Sequence, residues 1–281
     1  MTKILGRRSL LATAICGLMS AGAVANDLAL EEVLVTAEKR ESSLQDTPIS
    51  LLAFSNERLD RFGITDLADV AGLAPNVTIT PFPNSRSSLV IFMRGVGNND
   101  SQTTQDAAVG VYIDGVYVAR SIGLGSDVAD LERIEVLRGP QGTLYGRNTT
   151  GGAILLRSQQ PTDEFGGYIK GSVAEHDHTS LDGALNLPVS DNTSMRFAFN
   201  REDYDFSVNN LMPGAPDGGL DQTNLRLIVK TELDDLSITA KLHSEDWSGF
   251  PKPIASQGVN RLDGSGLCSP GQVVASACMD N

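Results

Sequence analysis

Aromatic residues, basic charge, cysteine and long apolar runs are all scarce in this chain, and each shortage excludes a class of protein. Aromatics make up 5% of 281 residues while glycine fills 28 positions, which suits open, turn-rich β structure better than a dense helical core. Lys and Arg number 22 against 35 Asp and Glu, a formal charge of −13, so nucleic acid is not an expected partner. Catalytic motifs are missing as well. After Gly142 the glycine-rich run reaches Arg147 where a phosphate-binding P-loop needs Gly-Lys. No G-x-S-x-G elbow, H-E-x-x-H helix or EF-hand loop occurs, so no catalytic, cofactor or metal residue is assigned and no enzyme is expected. His176 and His178 lack a nearby third ligand and read as a solvated loop rather than a metal site.

A single apolar stretch, Leu10 to Met19, follows Lys3, Arg7 and Arg8 and precedes the small residues Ala23-Val24-Ala25. It is well short of the ~20 residues that span a bilayer. Residues 1–25 therefore read as a Sec signal peptide cleaved after Ala25, the residues after Arg7-Arg8 fitting a twin-arginine signal poorly. Cleavage removes Cys16 and leaves Cys268 and Cys278, with nine residues between them. An oxidising compartment permits a disulfide there; two unpaired thiols are the alternative. Past the signal no run is long enough for a membrane helix, which leaves a soluble protein or a β-barrel.

Residues 26–40, NDLALEEVLVTAEKR, form a short β-favouring segment with no core of its own. It is a frayed terminus, a first sheet strand, or a strand offered to the edge of a partner's sheet. Residues 41–158 are mixed. The spacing predicts helices over Asn56–Phe62 and Ile64–Leu73, with Pro75 as a stop. Strands are expected at Leu89–Arg94, Gly110–Val118, Ile134–Arg138 and Ala153–Arg157. Asp114-Gly115 signals a type I′ hairpin turn, which needs positive φ at both central residues.

Residues 159–281 change period. Ile169 to Val173, Leu181 to Leu187, Met195 to Phe199, Leu225 to Val229 and Leu236 to Leu242 each alternate apolar with polar residues, giving five amphipathic strands. Their links alternate between short turns, Asp191-Asn192 and Asp234-Asp235, and longer loops, Glu175 to Thr179 and Phe206 to Gln222. That suits a barrel with lipid outside and a polar lumen, with Trp247 marking the interface girdle. A soluble antiparallel sandwich would alternate similarly, and the strands alone leave both open. A membrane barrel must close, and the smallest single-chain ones use about 8 strands, so five predict a fragment or a multi-chain assembly. A truncated sequence is the simpler expectation.

Asp130 to Ser158, DLERIEVLRGPQGTLYGRNTTGGAILLRS, closely resembles the plug signature of TonB-dependent outer-membrane receptors. Phe92-Met93-Arg94-Gly95-Val96-Gly97 is similar to the family's I-R-G element with Met before the Arg, and VGVYIDGVYVAR at Val109 to Arg120 adds support. Glu32, Val33, Leu34, Val35, Thr36 and Ala37 occupy the place of the TonB box. The resemblance implies an α+β plug domain (41–158) after a TonB-box segment (26–40), followed by antiparallel strands of an incomplete transmembrane β-barrel (159–281). It implies residence in the outer membrane, in contact with its lipid, and energised uptake of a scarce nutrient, by default an iron–siderophore chelate. TonB would pair with the box, energised through ExbB and ExbD. Arg94, Arg138 and Arg147 would be plug latches onto barrel carboxylates rather than ligand contacts. A ligand-sensing receptor without uptake, or an inactive truncated product, are the alternatives.

Overall fold

Gly152–Ser158 is short and apolar, Leu131–Arg138 alternates charges with Leu, Ile and Val, and in the computed structural model the two lie side by side within a five-stranded sheet. The structure describes residues 34–37, 39, 42–45, 47–82, 85–99, 105–120, 123–124, 130–205, 219–249, 260–261, 269 and 278–279. In chain order the first strands are β1 (Leu34–Val35), β2 (Ser42–Ser43) and β3 (Leu51–Ser55), followed by helix α1 (Asn56–Phe62). Next come β4 (Val77–Phe82), β5 (Ser85–Met93), β6 (Val96–Gly97), β7 (Val109–Ile113) and β8 (Val116–Val118). Strand β9 (Leu131–Arg138), the short helix α2 (Gly142–Tyr145) and β10 (Gly152–Ser158) complete the α/β unit. The sheet order is β3-β9-β10-β7-β8, with β10 parallel to β7 and antiparallel to β9.

Each face of this sheet has its own cover. Phe54, Ile134, Val136, Ile154 and Leu156 pack beneath Leu59, Leu67, Val70 and the β4–β5 hairpin residues Ile79, Leu89 and Met93. On the other face Leu137, Ala153, Leu155 and Tyr112 meet Ala37 and Tyr145. Such burial, at roughly 25 cal/mol per Å² of apolar surface, is the main stabilisation of the unit. Gly152 closes the strand start at φ +154, where a Cβ would lie 2.3 Å from the Leu137 carbonyl and 2.4 Å from Met93 Sδ. Only glycine fits there.

Helix α1 spans the predicted residues and ends on Gly63 in the left-handed conformation. The Gly63 N–H donates to the Asp60 carbonyl and the Ile64 N–H to that of Leu59, a Schellman closure. The helix expected over Ile64–Leu73 is instead a loop ending in one 3₁₀ turn, Asp69–Gly72. Its acids explain the difference. Asp69 accepts from the Thr65 and Asp66 N–H groups and Asp66 accepts from Asp69 N–H, reciprocal bonds of the capping-box type that delay the helical start and leave room for only one turn. The hairpin turn is as predicted, with Asp114 at φ +50, Gly115 at φ +84 and Ile113 opposite Val116.

Strands β11 (Gly166–Val173), β12 (Thr179–Ser190), β13 (Thr193–Asp205), β14 (Gly219–Leu233) and β15 (Leu236–Gly249) form an antiparallel meander in sequence order. Here burial is reversed. Asn186, Ser194, Gln222, Asn224 and Arg226 are buried, while Leu181, Leu185, Phe197, Leu225 and Leu242 are exposed. A soluble sandwich would bury the leucines. The meander holds its polar face against the α/β unit and offers its apolar face outward, as a lipid-facing wall does. Register places Trp247 opposite Gln222, on the same alternate positions as Lys241, so it belongs to the polar face rather than an outer girdle. No described helix is long and apolar enough to cross a membrane. Short strands β16 (Asn260–Arg261) and β17 (Cys278–Met279) pair with each other.

Candidate functional site

The second face of the α/β sheet should be costly, because β9 places Arg133 and Glu135 there at 6% and 1% exposure. Arg133 Nε donates to Glu135 Oε1 at 2.8 Å, and a second guanidinium nitrogen reaches Glu132, which also accepts from Arg157 Nε at 3.2 Å. One ion pair cannot satisfy both carboxylate oxygens. The N-terminal segment supplies the rest. Thr36 N–H donates to Glu135 at 2.9 and 3.1 Å from the two oxygens, and Thr36 Oγ1 donates at 3.0 Å.

The same segment is held from its other side. Tyr145 Oη donates to the carbonyls of Ala37 at 2.9 Å and Thr36 at 3.3 Å, and Lys39 Nζ stands 5.6 Å from the Tyr145 ring centre. Burial, then the charges of Glu135 and Tyr112, push the Tyr145 hydroxyl well above its ordinary value, so it stays a proton donor. Leu34–Val35 pairs with Ser42–Ser43, and Val35 and Ala37 are fully buried. Four of the six expected partner-binding residues, Leu34 to Ala37, are thus brought together on the sheet. Glu32 and Val33 lie outside the described residues, as do the signal peptide and Cys268, and with Cys268 the proposed bridge to Cys278.

Arg94 and Arg138 meet at Ser50. Arg94, at φ +51 in the turn between β5 and β6, donates to Ser50 Oγ at 2.9 Å, while the Arg138 N–H donates to the Ser50 carbonyl and its Nη1 to the Pro75 carbonyl. These partners lie within the α/β unit, and Arg147 stands exposed in the glycine-rich loop. The ion pairs recorded across the seam run in the opposite sense, acids on the unit and cations on the meander. Asp130 receives Arg196 in a two-point bond, Nε at 2.8 Å and Nη2 at 2.5 Å, with side chains 4% and 12% exposed. Lys241 reaches Asp114 at 2.9 Å and Lys170 reaches Asp60 at 2.6 Å. Burial alone would raise the Asp114 carboxyl, but the Ser158 N–H, Lys241 and the Ser158 hydroxyl together hold it below the usual carboxylate range.

Two further features complete the seam. Buried Asn186 clamps the connecting chain, accepting from Thr162 N–H at 3.0 Å and donating to the Thr162 carbonyl at 2.8 Å. A cavity of about 510 Å³ lies between the end of α1 and the polar face of β11–β14, bordered by Asp60, Thr65, Lys170, Ser180, Asp182 and Gln222. No group of three or more potential metal ligands occurs among the described residues. His178 Nε2 lies 3.2 Å from Glu202, and His176 is exposed.

A sheet unit with a docked N-terminal segment, bolted to the polar face of an apolar-outward meander, has a counterpart among known proteins. Residues 43–153 match the family model described as TonB-dependent Receptor Plug Domain. Over these residues the chain resembles a TonB-dependent receptor plug. The pesticin receptor of Yersinia pestis is 34% identical over 160 residues, covering 57% of this chain and 23% of its own length. The chain therefore spans about a quarter of that relative. The ferric yersiniabactin uptake receptor FyuA from Yersinia pestis superposes with a TM-score of 0.61 at 30% identity, over 66% of this chain and 29% of that one. The pyoverdine outer membrane receptor FpvA from Pseudomonas aeruginosa shares the fold, with a TM-score of 0.67 at 20% identity over 83% of this chain and 33% of its own.

With the plug named, the residues that sequence reasoning passed over stand out. Glu135 and Arg133 share one face of β9 with Leu131 and Leu137, and two opposite charges two residues apart between those leucines were the available signal. Asp114 carried only a turn signal and Asp130 only its place in the plug-like stretch, because their wall partners are distant in sequence.

Proposed function

We propose that this chain supplies the plug and first wall strands of an outer-membrane receptor for energised uptake of a scarce nutrient, an iron–siderophore complex by default. TonB, acting with ExbB and ExbD, is the energy-coupling partner, and residues 32–37 are the strand it captures. The observation that carries the reading is the reversal of burial across the meander, with the plug fastened to the polar face. A protein of that build encloses its plug in a polar lumen and meets lipid outside. Iron chelates are favoured as cargo because the relatives named above include the ferric yersiniabactin uptake receptor FyuA. In this reading residues 1–25 are the export signal, 26–40 the coupling segment, 41–158 the plug and 159–281 the wall. Arg147, exposed beside the glycine-rich loop, is the best placed of the three arginines to latch onto a wall carboxylate.

Val35→Pro in the complete receptor tests this. Proline removes the amide that a paired strand donates, so energised uptake of labelled iron chelate falls to background while ligand binding to cells stays at the wild-type level. Uptake at the wild-type rate would refute the assignment of the segment.

A further inference from the structure

We infer that the cavity between the end of α1 and the polar face of β11–β14 is a binding site for an aliphatic polyamine, an organic cation that bridges plug and wall. Its volume of about 510 Å³ falls in the range of small-molecule sites. Charge selects the ligand. Asp60 and Asp66 line it on the plug side and Asp182 and Glu202 on the wall side, with Asp130 between strands and helix. They are opposed, among the described lining residues, by one ammonium, Lys170, and one imidazole, His178. Lys170 is already held by Asp60 at 2.6 Å, while Asp182 receives only a neutral amide from Asn200 among the hydrogen bonds described. A cleft lined by one sign of charge gathers the opposite ion, so an anionic chelate is repelled here and a cation drawn in.

A bare metal ion does not fit this lining. No group of three or more potential metal ligands occurs among the described residues, so the carboxylates are too dispersed to share one ion. Carboxylates on two facing sides instead suit a chain with an amine at each end. Every ammonium carries three donors, and the hydroxyls of Ser172 and Ser180 accept those that a carboxylate leaves over. Leu59, Ile64 and Leu220 give a non-polar strip for the methylenes between the amines. Entry is open, since the side chains of Asp60 and Lys170 are half exposed and an incoming amine can take the place of Lys170. A ligand held from both sides needs plug and wall together, and therefore stabilises the docked arrangement.

The test titrates spermidine into the complete receptor, purified in detergent, by calorimetry. One saturable site is expected, with an affinity that falls as salt rises. Ser180→Trp fills the cavity and leaves every charge in place, so binding at this site should be lost. Asp182→Asn and Glu202→Gln each replace a charge-assisted contact by a neutral one and should weaken binding about ten-fold. Spermidine should also raise the urea midpoint of the wild-type receptor and leave that of Ser180→Trp unmoved. Absence of a saturable site in the wild type overturns the proposal. Full affinity in a folded Ser180→Trp receptor overturns it too, because the amine would then sit elsewhere on an acidic surface. If Ser180→Trp does not fold, Asp182→Asn decides, and unchanged affinity there overturns the site. Tighter binding of calcium or of maltose than of spermidine in the same cavity overturns the ligand class.

Discussion

The plug sheet and the wall meander are both built from alternating strands, yet they resolve the alternation in opposite ways. In the plug both sheet faces are covered, so β10 reads as a near-continuous apolar run, and β9 buries nearly every side chain even though half of them are charged. In the wall each strand keeps its apolar side outward and buries Asn186, Ser194, Asn224 and Arg226 against the plug. The two regions therefore need different glue. Apolar contact holds the plug together, whereas the seam between plug and wall is held by charge pairs and amide clamps. Such contacts are directional, and each depends on the geometry of both partners.

The comparison can be broken first at its strongest polar point. Arg196→Met leaves the Asp130 carboxylate buried without its cation, with only the Tyr168 hydroxyl beside it, and should cost about 3–5 kcal/mol, seen as a lower urea midpoint for the complete receptor. Asp130→Leu with Arg196→Met should recover most of that loss, since an apolar pair of similar volume removes the stranded charge. A double variant no more stable than Arg196→Met would show that the seam does not work as described.

A smaller effect sharpens the contrast between interiors. Ile154→Ala, at a fully buried plug position, should cost about 2–5 kcal/mol. Leu225→Ala on the outward wall face should cost a fraction of that, because no packed protein core surrounds it. Equal losses in urea unfolding would mean that the leucine face is buried against protein after all.

The smallest effect concerns acid. The Asp114 carboxyl is held below its ordinary value in the fold, so its stabilisation is complete at neutral pH. As pH falls below the ordinary value of 3.8 and through the folded value, that contribution drains away. Asp114→Asn should cost about 1 kcal/mol at neutral pH and flatten this part of the acid unfolding curve. An acid limb identical to wild type would remove Asp114 from the seam.

What was legible in the sequence was local. Helix α1, the Asp114-Gly115 turn and the five wall strands each follow from spacing or turn chemistry within a few residues, and the structure places them as expected. The helix over Ile64–Leu73 misled because Asp66 and Asp69 cap each other's amides and start the helical turn late. Strands β3 and β4 passed unnoticed since their pattern acquires meaning only from β9 and β5 beside them. The seam was beyond local reading altogether. Asp130 and Arg196 are 66 positions apart, and Thr36 and Glu135 are 99 apart. Neither residue of such a pair hints at the other until the backbone has been laid down.

The Asn186 clamp on Thr162 sets how far the plug can travel. Between β10 and β11 seven residues, 159–165, form the only covalent leash from plug to wall among the described residues. Fully drawn out they would reach about 24 Å, but with Thr162 pinned only the first three have slack, roughly 10 Å. A plug that shifts with the clamp closed swings on a short cord and returns to its seat. A larger displacement has to slip Asn186 first.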